Sequence, residues 1–119
     1  MIYMAGMLAC STIFLAGCAS IPAPNEQLAA SKAAVDNALS AGGNEFAPLQ
    51  LKSAIDKMDA AERAMGDKNY LLARQLAEEA RIDAKLAEMK ARTSKAQKAA
   101  DVMQESNRVL HQEIDRQAQ

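Results

Sequence analysis

Few side chains in this chain of 119 residues are equipped for covalent, acid–base or metal chemistry. The thiols are Cys10 and Cys18, and the imidazole is His111. As a base or ligand His111 would need partners, and its nearest acids are Glu113 and Asp115 in a sparse stretch. A solvated surface position is expected for it. Glu78, Glu79 and Asp83 lie close in sequence, but consecutive residues point to different sides of a helix. A solvated face is expected there, not a paired acid–base or Ca²⁺ site. Lys90, Arg92, Lys95 and Lys98 scatter around a helix, with Glu88–Arg92 and Lys98–Asp101 as expected local pairs. There is no Ser-His-Asp set, no glycine-rich phosphate loop and no clustered metal ligands. No catalytic residue, metal or small-molecule cofactor is therefore expected, and the chain reads as non-enzymatic.

One thiol stands out by its setting. Cys18 closes the stretch Leu15-Ala16-Gly17-Cys18, and residues 1–17 carry no charged side chain. Ile2, Leu8, Ile13, Phe14 and Leu15 give that segment an apolar core about as long as a signal h-region. The motif resembles the lipobox of bacterial lipoproteins. The resemblance implies that a signal peptidase reads Leu15, Ala16 and Gly17, whose small residues let the backbone lie in its groove. It implies that Cys18 becomes the first mature residue, carrying a thioether-linked diacylglycerol and an acyl chain on its new amine. Acyl anchoring grows by about 0.8 kcal/mol per buried CH₂, so two or three chains hold where one does not. Ala19 is the small, uncharged neighbour typical of sorting to the outer membrane. The segment departs from the usual signal in having no Lys or Arg at its start. A retained membrane span needs about 20 apolar residues, nearly the length of the run from Met1 to Ile21. An ordinary cleaved signal needs only small residues such as Ala16 and Ala19. Neither alternative requires Cys18. With Cys10 removed and Cys18 acylated, the mature chain has no disulfide and no thiolate metal site.

The elements that follow are expected to be helical. All 14 Lys and Arg and all 15 Asp and Glu lie beyond Cys18, a balance that does not recommend nucleic acid as a partner. Alanine, the strongest helix former, dominates. It also buries little apolar area, which predicts thin, closely packed helix contacts. Residues 18–24 read as a lipidated tether held extended by Pro22 and Pro24. Residues 25–119 read as one all-α domain with helices over about 25–41, 48–65 and 68–117. Asn25 is the expected first N-cap. Leu28, Lys32, Val35 and Leu39 trace the first stripe, and Gly42-Gly43 ends it. Gly43, Asn44 and Glu45 are expected to form the turn. Pro48 suits the first position of the second helix, whose stripe is Leu51, Ala54, Ile55, Met58, Ala61 and Met65, with Asp59–Arg63 as an outer pair. Gly66 ends that helix and Asp67 is the expected cap of the third. Ala73, Ala77, Ala80, Ala84, Ala87 and Ala91 repeat at four-and-three spacing, as in an antiparallel αα-hairpin with the second helix. Phe46 and Tyr70 are expected to plug the connector end of that hairpin. Farther on, Ala96, Ala99, Met103, Leu110 and Ile114 keep a weaker seam, interrupted by Ser106 and Glu113. Met103, Leu110 and Ile114 are the candidate partner surface, for a second copy or another envelope protein.

Glu45-Phe46-Ala47-Pro48, then Asp67, Tyr70, Ala73-Arg74, Leu76-Ala77-Glu78, Ala80 and Asp83-Ala84, behind the Cys18 motif and Pro22-Ala23-Pro24, resemble a family of small bacterial lipoproteins. That family is grouped as domain of unknown function 4398. The likeness runs to about Ala91. It implies a helical envelope lipoprotein and brings no established activity; Ala19 beside Cys18 adds the expectation of the periplasmic face of the outer membrane. The expected function is a structural or protein-interaction module held to the membrane by its lipid. The alternative is a periplasmic carrier or chaperone that binds a lipid or peptide between its helices.

Overall fold

A computed structural model describes residues 21–119 of the chain. The described residues form an all-α fold of α1 (Asn25–Ser40), α2 (Gly43–Phe46), α3 (Pro48–Gly66) and α4 (Tyr70–Gln117). The expected segment 1–17 and the motif Leu15, Ala16, Gly17 and Cys18 lie outside the described residues. No helix among the described residues is long and apolar enough to cross a membrane.

Pro24 stands at the N-cap of α1, and its carbonyl accepts from the Leu28 amide at 3.1 Å. Asn25 is therefore the first helical residue and not the cap, and no side chain caps this end. The buried face of α1 is Ser31, Val35 and Ala38. The expected stripe is rotated by about one residue, since Lys32 and Leu39 are exposed. The cause is close approach: small Ser31 and Ala38 let α1 settle against α4, where Lys32 or Leu39 would hold it off.

Gly42 turns the chain with φ 93°, a left-handed conformation that costs glycine nothing. Gly43, expected in the turn, opens the single helical turn α2. A Cβ there would lie 2.8 Å from the Ala38 carbonyl oxygen, so this approach too requires glycine. Pro48 is the first residue of α3, where no partner is needed for its missing N–H. The buried face of α3 is Leu51, Ala54, Met58, Ala61 and Ala64, with Ile55 and Met65 half-buried. Asp59 and Arg63 do not pair; the outer pair on α3 is Lys52–Asp56, at 2.7 Å.

The connector departs from expectation in its cap. Lys68 takes the left-handed conformation, with φ 59°, so no helix can run through it. Asn69 caps α4 instead of Asp67, its side-chain oxygen accepting from the Leu72 amide at 3.3 Å. From there α4 runs 48 residues, roughly 70 Å.

Residue pairings give the helix directions. On α3, Lys57 reaches Glu79 and Asp83, and Ser53 also reaches Asp83. Leu51 and Ala54 cluster with Ala84 and Ala87, so α3 runs antiparallel to α4. Ser31 meets Ala77, Asn37 and Met89 line one groove, and Gly42 lies beside Lys95, so α1 runs in the same direction as α4. α4 is thus the central element and packs against both. Ala73, Ala77, Ala80, Ala84, Ala87 and Ala91 have no exposed surface. The three-helix body ends where α2 meets Lys95 and Lys98, and every side chain from Lys95 to Gln112 is exposed.

Candidate functional site: the uncovered faces of the long helix

The alanine stripe that builds the body also limits what the body can hold. Methyl groups leave no room for an enclosed cavity once the backbones touch. Among the described residues Ser31 carries a buried hydroxyl, to which the sequence does not point, because the alternation of apolar residues in α1 places it beside the stripe. It donates to the Ala77 carbonyl oxygen at 2.5 Å and lies 2.8 Å from that of Gln27. One hydroxyl proton cannot serve both at once. The first bond ties α1 to α4; the second is a within-helix return that competes weakly with it.

The carboxylates near the middle of α4 are partly drawn into the body. Asp83 accepts from Lys57 Nζ at 2.8 Å and from Ser53 Oγ at 2.7 Å, while Lys57 also lies 3.4 Å from Glu79. The hydrogen bond from Lys57, then that from Ser53, holds the Asp83 carboxyl below the usual aspartate range. The same bond raises Lys57 above the usual lysine value. Asp83 is thus drawn off the solvated face expected for it, while Glu78 stays exposed and Glu79 keeps much of its side chain in solvent. The i,i+4 spacing of Glu79 and Asp83 was the available signal, but it names no partner. A carboxylate held ionised in this way is a poor general acid near neutrality.

Glu88 is buried between Arg92 at 2.7 Å and Lys85 at 3.4 Å, so the expected Glu88–Arg92 pair forms. Lys98–Asp101 does not. Lys98 turns back toward Glu45 at 3.8 Å, and Asp101 accepts from Gln97. Lys95 and Lys98 lie over the Phe46 ring at 6.0 and 5.9 Å from its centroid. Phe46 therefore marks the far end of the body and not the connector end. It precedes α3, which carries the chain one full helix length back to Tyr70. His111 is exposed and makes no ion pair, although Asp115 stands one turn along. No group of three potential metal ligands occurs among the described residues.

What the fold leaves bare is apolar. Met103, Leu110 and Ile114 are 66%, 60% and 61% exposed, and α1 cannot cover them because it ends one turn before α2. Helical spacing sets these three on one side of α4, with Ala100 before them and Asn107 among them. Ser106 and Glu113, expected in the seam, fall to its edge. Val102 and Val109, exposed as well, lie in line with the alanine stripe beyond the point where α3 has begun. Nearer the connector, Ile82, Leu86 and Met89 are exposed along a groove of about 590 Å³ between α4 and α1. Ala30, Ala33, Ala34 and Asn37 form its other wall. A second, more polar groove of about 400 Å³ lies beside it, at Glu26, Gln27 and Glu78.

The surface these residues make is shallow, long and mainly apolar, with Asn37, Arg81 and Lys85 also lining its groove, a shape that suits helix docking. No curated protein matches the chain, and no solved structure does. A family model, described as a domain of unknown function (DUF4398), matches residues 26–103, from the first turn of α1 to the first large residue of the uncovered tail. Because that match spans the whole three-helix body and most of the sequence, the chain belongs to the DUF4398 family.

Proposed function

We propose that this DUF4398 protein is a lipid-anchored module of the cell envelope that works by holding another protein, without catalysis. The observation that carries the reading is the mismatch in helix length. α1, α2 and α3 together cover α4 only as far as Lys98, which α2 reaches through Glu45, while α4 continues to Gln117 with Met103, Leu110 and Ile114 exposed. A helix left bare over that length forgoes about 1.5–3 kcal/mol per large side chain that a partner helix would supply. The anchor rests on Leu15-Ala16-Gly17-Cys18, and Ala19 favours the outer membrane with the helices on the periplasmic side. The expected covalent diacylglycerol and N-acyl chain on Cys18 are the membrane contact. No nucleic acid, metal or other cofactor enters this reading.

The test has two arms. Cys18→Ser should abolish incorporation of labelled fatty acid and leave a precursor of higher mass. A Ser variant that still fractionates with the outer membrane at its normal size would overturn the anchor. In-cell crosslinking should capture a protein through α4. An unchanged crosslinking pattern after Met103→Gln, Leu110→Gln and Ile114→Gln together would overturn the docking role.

The carrier reading keeps one observation in its favour, the apolar groove beside Ile82, Leu86 and Met89. It predicts envelope lipid co-purifying with the protein, read by native mass spectrometry. The groove is open and its α1 wall is alanine, which gives an acyl chain little to hold. The interaction module is therefore preferred.

A further inference from the structure

The exposed apolar residues of α4 are not two separate patches. Ile82, Met89, Ala96, Met103 and Leu110 recur at intervals of seven, and all five are exposed. Leu86, Thr93, Ala100, Asn107 and Ile114 form a second row at the same interval, four residues behind the first, and are exposed too. Rows at alternating four-and-three spacing are the a and d positions of a coiled coil. They run for roughly 50 Å at 1.5 Å per residue, along the side of α4 away from the buried alanines. A seam sustained over more than three heptads calls for a helix of matching length. The longest helix in the described residues that carries such a seam is α4 itself.

We infer that a second copy of this chain pairs with α4 in antiparallel orientation, each tail seated in the α1–α4 groove of the other copy. This names the partner for the interaction surface proposed above and rests on that reading, but not on the anchor. In an antiparallel coiled coil each a residue faces a d residue. Centring the pair between Ala96 and Ala100 sets Ile82 against the second copy's Ile114 and Leu86 against its Leu110. Met89 then faces Asn107. The large residues meet at both ends, and the alanines meet in the middle, where two helices can approach closely. The tail beyond Lys98 and the groove-bearing stretch before it are about equal in length, so each tail fills the other copy's groove. The contact is self-complementary and closes at two chains.

Charge decides the direction. The flank of the seam within the body carries Lys85, Lys90 and Arg92, with Asp83 tied to Lys57 and with Glu88 beneath Lys85 and Arg92; the flank of the tail carries Glu113, Gln104, Ser106 and His111. Antiparallel pairing sets Lys85 opposite the second copy's Glu113, Arg92 opposite Ser106 and Lys90 opposite Gln104. It also brings His111 beside Asp83. Parallel pairing would instead set Lys85 against Lys90 of the second copy, a like-charge contact, and would leave both grooves without a tail. Because Ser31 of α1 meets Ala77 and α1 starts six residues earlier, toward the connector, the two tethers emerge at opposite ends of the pair. A tether over 18–24 reaches at most roughly 25 Å, so two anchored copies lie along the membrane plane.

The test uses the full chain in mild detergent, with Cys10→Ser and Cys18→Ser so that introduced thiols are alone. Sedimentation should give twice the chain mass, falling to the mass of one chain for the combined Met103→Gln, Leu110→Gln and Ile114→Gln variant. Leu86→Cys and Leu110→Cys are made singly at exposed positions. Mixed and oxidised, they should crosslink to each other, while neither crosslinks to itself. Self-crosslinking of either single variant would mean a parallel pair and would overturn the proposal. So would a chain of single mass, with or without lipid bound in the groove. If the chain is single but the triple variant still loses its in-cell crosslink, the docking surface stands and self-pairing falls.

Discussion

At Ala80 a side chain of one methyl group is wholly covered. Only a neighbouring backbone at close range can cover so small a group, so this position measures helix approach directly. Ala80→Leu should force the helices apart and cost about 1–3 kcal/mol. A thermal melt would read that as a clear drop in Tm, since 1 kcal/mol shifts a domain of this size by roughly 4–8 °C. An unchanged Tm would mean that the stripe does not pack. Gly43 tests the turn in the same way. A Cβ there would press on the Ala38 carbonyl oxygen, a backbone atom that cannot swing aside. Gly43→Ala should therefore lower Tm. Gly66→Ala is the control, because nothing lies within 4 Å of a Cβ at Gly66. Chemical denaturation of the two variants side by side checks the contrast.

At the scale of elements, α3 and α4 are joined by the polar contacts of Lys57 and Ser53 with Asp83 as well as by alanines. Their pH dependence follows from the two displacements. Asp83 ionises at lower pH in the fold than in the unfolded chain. Its contribution is complete above the ordinary aspartate value, about 4, and is lost as pH falls through the lowered folded value. Lys57 is displaced upward. Its contribution is complete below the ordinary lysine value, about 10.4, and is lost as pH rises through the raised one. Asp83→Asn should therefore lower Tm by a steady amount between those limits, and the gap to the parent should close at acid pH. Melts at stepped pH check this. A gap that persists at the acid end would mean that Asp83 acts through shape and not through charge.

The whole molecule is a body with an overhang. In a single copy Met103, Leu110 and Ile114 touch nothing beyond α4, so replacing all three with Gln should leave the stability of the body within about 0.5 kcal/mol of the parent. Denaturation at high dilution, where no second chain can bind, is the measurement. A large loss there would mean that the tail folds back onto the body, against the geometry found. The same triple variant at working concentration reports on docking, so one protein separates stability from association. The position of the tether attachment matters at this scale too. α1 begins beside the connector half of α4, and the free tail runs away from it. An anchor at Cys18 and a docking tail would thus act at opposite ends of one rigid helix.

Much of the local structure was legible because it depends on near neighbours in sequence. Pro48 had to start a helix, Gly42 had to turn one, and alanines at four-and-three spacing had to form one face of α4. All three follow from backbone geometry and the helical repeat. The all-α class follows from composition and period together. Cys18 is still more local: Leu15-Ala16-Gly17-Cys18 is read from residue types alone, and it lies outside the described residues. Other features depended on which element arrives opposite which face. Ser31 is buried because α1 lies against Ala77, not because of its own helix. Asp83 is held ionised because Lys57 and Ser53 face it from α3, about 30 residues earlier. Phe46 sits under Lys95 and Lys98 because α3 carries the chain away from it. The cap passed from Asp67 to Asn69 once Lys68 turned left-handed. The tail of α4 is bare because α1 runs alongside it and stops too soon. The helical repeat records which residues share a face, but only the packed chain decides what that face meets.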